Sequence, residues 1–140
     1  MWRCLPWLFV STIGIATGCA NQESDRVKVY PTHGAVFFNE KPAAGAVVRV
    51  HGADGIVSSV LSRGVVQTDG SFSLTTFEAD DGVPAGHYKV SVYWRQPGHD
   101  EGQDGSSLIS ERYSRPETSG LEVEVQAVPE NKLSPIILKR

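Results

Sequence analysis

Cysteine is nearly missing from this chain: 140 residues hold two, Cys4 and Cys19, both within the first nineteen positions. The chain from residue 20 onward can therefore form no disulfide of its own, no thiolate nucleophile and no cysteine-ligated metal site. Its stability has to come from a packed core. Long runs of one charge are missing too. Thirteen Lys and Arg are interspersed with sixteen Asp and Glu, for a formal net charge of -3. That balance excludes the basic footprint of a nucleic-acid binder and a polybasic membrane patch. No stretch carries a convincing helical period, no G-x-S-x-G nucleophile elbow occurs, and no D-x-[DN]-x-[DN]-G calcium loop is written. No pair among His33, His51, His87 and His99 has the close spacing of a structural zinc motif.

Apolar runs are scarce, and the one of any length is at the start. Leu5–Thr17 reads LPWLFVSTIGIAT, behind a single basic side chain, Arg3. Thirteen helical residues rise about 20 Å, short of the roughly 30 Å of hydrocarbon in a bilayer. A positive start, a short apolar region and small residues at its end make an export signal over residues 1–18. The alternatives are an uncleaved anchor helix, an ordinary signal peptide that leaves Cys19 free, and a Cys4–Cys19 disulfide inside a segment that export removes. Residues 20–26, ANQESDR, are small and polar and read as a tether.

Strand patterning fills the rest. Val27–Tyr30, Thr32–Phe38, Ala46–His51, Gly64–Thr68, Ser71–Thr76, His87–Arg95, Leu121–Gln126 and the stretch holding Ile136 and Leu138 alternate apolar with polar residues. In His87–Arg95, Tyr88, Val90, Val92 and Trp94 share one face, while Lys89, Ser91, Tyr93 and Arg95 share the other. Asp69-Gly70 marks a hairpin between two of these strands. The pattern predicts an all-β domain over residues 27–140, a single antiparallel Greek-key sandwich of about seven strands. Residues 96–119 break the rhythm, first as a polar loop, then with Leu108, Ile109 and Tyr113 placed to pin it back.

Two parts of the chain resemble known families. Ala16-Thr17-Gly18-Cys19 resembles the lipobox of bacterial lipoproteins, with Ala16 where that family prefers Leu. The resemblance implies cleavage between Gly18 and Cys19, a lipid on the Cys19 thiol, and attachment to the outer or cytoplasmic membrane with the domain in the periplasm or at the cell surface. Farther on, "HGAVFFNEKPAAGAVVRV", "VVQTDGSFSLTTFEADDGVPAGHYKVSVYW" and "ERYSRPETSGLEVEV" resemble the transthyretin-like, carboxypeptidase-regulatory-like domains of small exported lipoproteins. Asn39-Glu40-Lys41-Pro42 stands where that family usually has Asp-Gly-Lys-Pro. Such domains accompany enzymes without doing their chemistry, so this resemblance implies a structural or binding module, no enzyme and no cofactor.

The candidate binding residues are Asp80 and Asp81 in the 78–86 turn, with His99, Asp100, Glu101 and Asp104 in the 96–119 loop. They would serve a metal ion or a carbohydrate. The plainer reading of the turn is a rigid corner, with Gly82 and Gly86 at unusual backbone angles and Pro84 fixing φ. A strand pair across the 39–45 turn would bring His33 and His51 together. A Lys28–Asn131 isopeptide bond is a further candidate, with Asn131 placed in a turn. The transthyretin-like resemblance also brings in a hydrolase of that fold, whose family carries a C-terminal Tyr-Arg-Gly-Ser, whereas this chain ends Ile-Leu-Lys-Arg. The expected partners are a membrane, through the lipid on Cys19, and another envelope protein or a polysaccharide.

Overall fold

The computed structural model describes residues 26–53, 61–95 and 107–139. The signal segment with Gly18 and Cys19, nearly all of the tether, and His99, Asp100, Glu101 and Asp104 lie outside the described residues.

Strands dominate. In chain order they are β1 (Val29–Tyr30), β2 (Thr32–Phe38), β3 (Lys41–Pro42), β4 (Val47–Gly52), β5 (Ser62–Val65), β6 (Ser71–Ser73), β7 (Val83–Pro84), β8 (Gly86–Tyr93), β9 (Leu121–Val125), β10 (Asn131–Lys132) and β11 (Ile136–Leu138). A 3₁₀ turn (Glu111–Ser114) and a one-turn helix, α1 (Pro116–Ser119), stand between β8 and β9. That local helix is a departure from the sequence reading. Pro116 at its first turn and Gly120 at φ 67° just past its end bracket it, the Pro-start, Gly-stop signature of a short helix.

Alternation works as expected along the central strands. In β8, Tyr88, Val90 and Val92 are buried, and in β6 Phe72 is buried between exposed Ser71 and Ser73. The boundaries of β5 shift. The GVVQT pattern suggested Gly64–Thr68, but the strand is Ser62–Val65, because the ladder to β4 runs from Val65 opposite Val47 to Ser62 opposite Val50; Ser62 turns inward there, its hydroxyl 2.7 Å from Thr76 Oγ1.

Two tight turns set the hairpins. Asn39 and Glu40 both have positive φ, 48° and 65°, the two-residue turn whose twist matches paired strands. The second turn uses Gly70 at φ 90°, and the Asp69 carboxylate accepts from the Ser71 N–H at 2.9 Å and the Ser71 hydroxyl at 2.6 Å.

The strands form three sheets, not the two of the expected sandwich. One is the short antiparallel pair β1–β7; one has four strands in the order β5-β4-β8-β9; and one gathers five strands around β2. The four-stranded sheet is antiparallel throughout. The β2 sheet is mixed, which corrects the antiparallel expectation. β3 and β6 pair with β2 antiparallel, whereas β10 and β11 run parallel to it. Alternation reports which face of a strand is buried and carries no record of its neighbour's direction.

Both larger sheets feed one hydrophobic cluster. Val36, Phe72, Leu74, Ile136 and Leu138 enter it from the β2 sheet side, and Val48, Val50, Tyr88, Val90, Val92 and Val125 from the other. Ile109 and Tyr113 join, so the 107–119 segment is pinned as expected, but Leu108 stays 38% exposed. Tyr113 Oη accepts the Lys139 N–H at 3.1 Å, tying that segment to the chain's end. Buried Tyr88 donates its hydroxyl to the Pro84 carbonyl at 2.6 Å, four residues upstream, the tyrosine-corner arrangement. The PAGHY stretch thus folds as a corner.

Candidate functional site

Three polar arrangements stand out among the described residues. The first is the Asp80-Asp81 turn. Asp81 faces back into its own loop and accepts from the backbone N–H groups of Thr76 (2.7 Å), Phe77 (2.9 Å) and Glu78 (3.0 Å). Burial alone would raise its carboxyl, but the N–H groups of Thr76, Glu78 and Phe77 outweigh that and hold it below the usual value. Asp81 is thus a clasp for residues 76–78, and the rigid-corner reading of the turn describes its geometry. Gly82 completes the corner. Its φ is 94°, and a Cβ there would run into the Tyr30 carbonyl. Asp80 differs. Its backbone sits at φ 57°, its N–H donates to Thr75 Oγ1 at 3.0 Å, and its side chain is exposed.

The second is a His–Ser pair that the sequence did not suggest. His51 Nε2 and Ser91 Oγ lie 2.8 Å apart, a donor–acceptor pair across β4 and β8. That is the spacing of a nucleophile and its base. Ser91, however, is fully buried, and both α1 and the 3₁₀ turn pack against β8. Burial lowers the His51 pKa below its ordinary value, Arg49 lowers it further, and Glu117 of α1 opposes them. Ser91 stood on the polar face of the β8 pattern. It is the 107–119 segment, remote in sequence, that packs over this part of β8 and leaves Ser91 buried while Lys89 stays exposed.

The third is an open groove of about 620 Å³ on the outside of the β5–β6 hairpin. His33, Arg63, Gln67, Ser73 and Asp80 line it together with Val65. The hairpin holds its shape because Gly64 lets the two strands close up; a Cβ on Gly64 would strike the Ser73 carbonyl. Asp80, the candidate that the sequence singled out, therefore belongs to a concave surface, while its neighbour Asp81 does not.

The other candidates separate. His33 and His51 are not brought together: His33 sits on β2 and His51 on β4, strands of different sheets, because the chain leaves the first hairpin at Ala43–Ala46 and crosses to the other sheet. His33 instead has Glu130 near it, at 3.7 Å. Asn131 lies in β10, not in a turn, and its side-chain amide is taken up by the Gln126 N–H and carbonyl, both at 2.9 Å. Lys28 lies over the Tyr30 ring, 5.3 Å from its centroid. Neither isopeptide partner is free to meet the other. Among the described residues no group of three or more His, Cys, Asp and Glu could hold a metal ion.

No protein-family model, curated protein or solved structure matches this chain.

Proposed function

We propose that this chain is a lipid-anchored, non-catalytic binding module of the bacterial cell envelope, built on a two-layer β-sandwich of the transthyretin-like kind. The observation that carries the proposal is Ala16-Thr17-Gly18-Cys19, placed at the end of a short apolar run and followed by the small, polar stretch ANQESDR. In that reading Cys19 becomes the first residue of the mature protein and bears the lipid, and residues 20–26 lift the domain off the membrane. Two acyl chains or more would hold it stably. The tyrosine corner at Tyr88 and the shared cluster between the larger sheets support the sandwich assignment. The open polar groove supports binding as its task.

The experiment is Cys19→Ser in the producing cell. The expected outcome is loss of the protein from the membrane fraction and loss of the lipid's mass. A Cys19→Ser protein that stays in the membrane at unchanged mass and with unchanged signal cleavage overturns the anchor.

One observation favours a second reading. The His51–Ser91 pair has the spacing of a hydrolase's base and nucleophile. With Ser91 fully buried, no substrate reaches it in this conformation. A fluorophosphonate serine probe should therefore leave the protein unlabelled; labelling abolished by Ser91→Ala would revive the hydrolase.

A further inference from the structure

The groove beside the β5–β6 hairpin carries one positive and one negative side chain, Arg63 and Asp80. Arg63 and Asp80 share a single point of attachment, Thr75. The Thr75 backbone exchanges two hydrogen bonds with Arg63, at 3.1 and 2.8 Å, and its hydroxyl accepts the Asp80 N–H. Asp81 then fastens the next three residues, so the loop that presents Asp80 is held at both sides. The backbone positions that carry two opposite charges are thus tied to one frame, and neither charge neutralises the other through a salt bridge among the described residues. Such a frame loses little freedom when a ligand arrives.

From this arrangement we infer that the groove binds a neutral, polyhydroxylated ligand, a short segment of a polysaccharide. The inference rests on reading the chain as a binding module. A ligand with net charge would be drawn to one of the two side chains and repelled by the other. A hydroxyl group suits both, since it donates to the Asp80 carboxylate and accepts from the Arg63 guanidinium, and hydrogen bonds to charged groups are the stronger ones. Vicinal hydroxyls multiply that match. The amide of Gln67 and the hydroxyl of Ser73 add neutral partners along the same wall. Part of the lining is apolar: Val65, 51% exposed, belongs to it, a surface for the C–H faces of a sugar ring. The groove's size, about 620 Å³, falls in the range of small-ligand sites.

The test is titration calorimetry on the full-length protein in a non-glycosidic detergent. The probes are maltohexaose, cellohexaose and N-acetylchitohexaose, with dialanine as a zwitterion and inorganic phosphate as an anion. Saturable binding of at least one hexasaccharide is expected. Arg63→Ala and Asp80→Asn, which keeps a side chain suited to positive φ, should each weaken it about tenfold or more, with an unchanged melting temperature, while Lys89→Ala on the other sheet should leave it unchanged. The inference is overturned if no hexasaccharide binds, if binding survives both substitutions, or if dialanine or phosphate binds in the sugars' place. Should the sugars fail while Cys19→Ser still releases the protein from the membrane, the ligand class is wrong and the anchored module stands.

Discussion

Tyr88 shows how much one hydroxyl can decide. Its ring is buried in the cluster shared by both larger sheets, and its oxygen reaches the Pro84 carbonyl. Tyr88→Phe keeps the ring and orphans a buried acceptor, so a loss of about 1–3 kcal/mol is expected in urea denaturation. Burial also pushes the Tyr88 pKa up to about 12, from 10.0. A phenol whose folded pKa is raised contributes stability that is complete below the unfolded pKa and lost as pH rises through the folded one. The urea midpoint of the native protein should therefore fall between pH 10 and about 12, and Tyr88→Phe should flatten that slope. His51 works at the other end of the scale. Its folded pKa is depressed from 6.5, so its contribution is present above that pH and declines as pH drops below it. His51→Gln should lessen the loss of stability between neutral and mildly acidic pH. Glu40 marks a local cost, since a side chain at φ 65° occupies a position that suits Gly. Glu40→Gly should stabilise the protein by about 1 kcal/mol, read as a higher melting temperature.

At the scale of elements, the β5–β6 hairpin carries the candidate site, and its closeness rests on Gly64. Gly64→Ala would press a methyl group against the Ser73 carbonyl. It should open the hairpin, cost about 1–3 kcal/mol by urea denaturation, and blunt any binding in the groove before the whole domain melts. The turn was legible in the sequence because Asp69-Gly70 is a chemical signal that needs no partner. The β8 pattern was legible for a related reason: alternation is a local property, and Tyr88, Val90 and Val92 obey it. What failed to show were relations between remote segments. Ser91 looked solvent-facing until α1 and the 3₁₀ turn packed against its strand. The two-residue β10 was read as a turn because Asn131-Lys132 has no pattern of its own and gains its strand geometry from Thr32 and His33. The same limit applied to the site. Asp80 was picked from its acidic surroundings, but Arg63 lies seventeen positions away and meets it only through Thr75.

For the whole molecule, the parallel pairing around β2 joins the beginning of the domain to its end. Thr32 lies opposite Asn131, and Val36, Phe37 and Phe38 lie opposite Ile136, Ile137 and Leu138. A truncation before residue 131 should leave Val36 and Phe38 without their partners. It should abolish cooperative unfolding rather than merely lower the midpoint, which circular dichroism would read directly. The pairing also sets a timetable for biosynthesis. β2 can complete its ladder only after residues 131–138 have left the ribosome, so the sheet around it stays unfinished while everything between is made. That delay makes the arrival of β10 and β11 the event that lets the domain close, and leaves β2 with open edges until then.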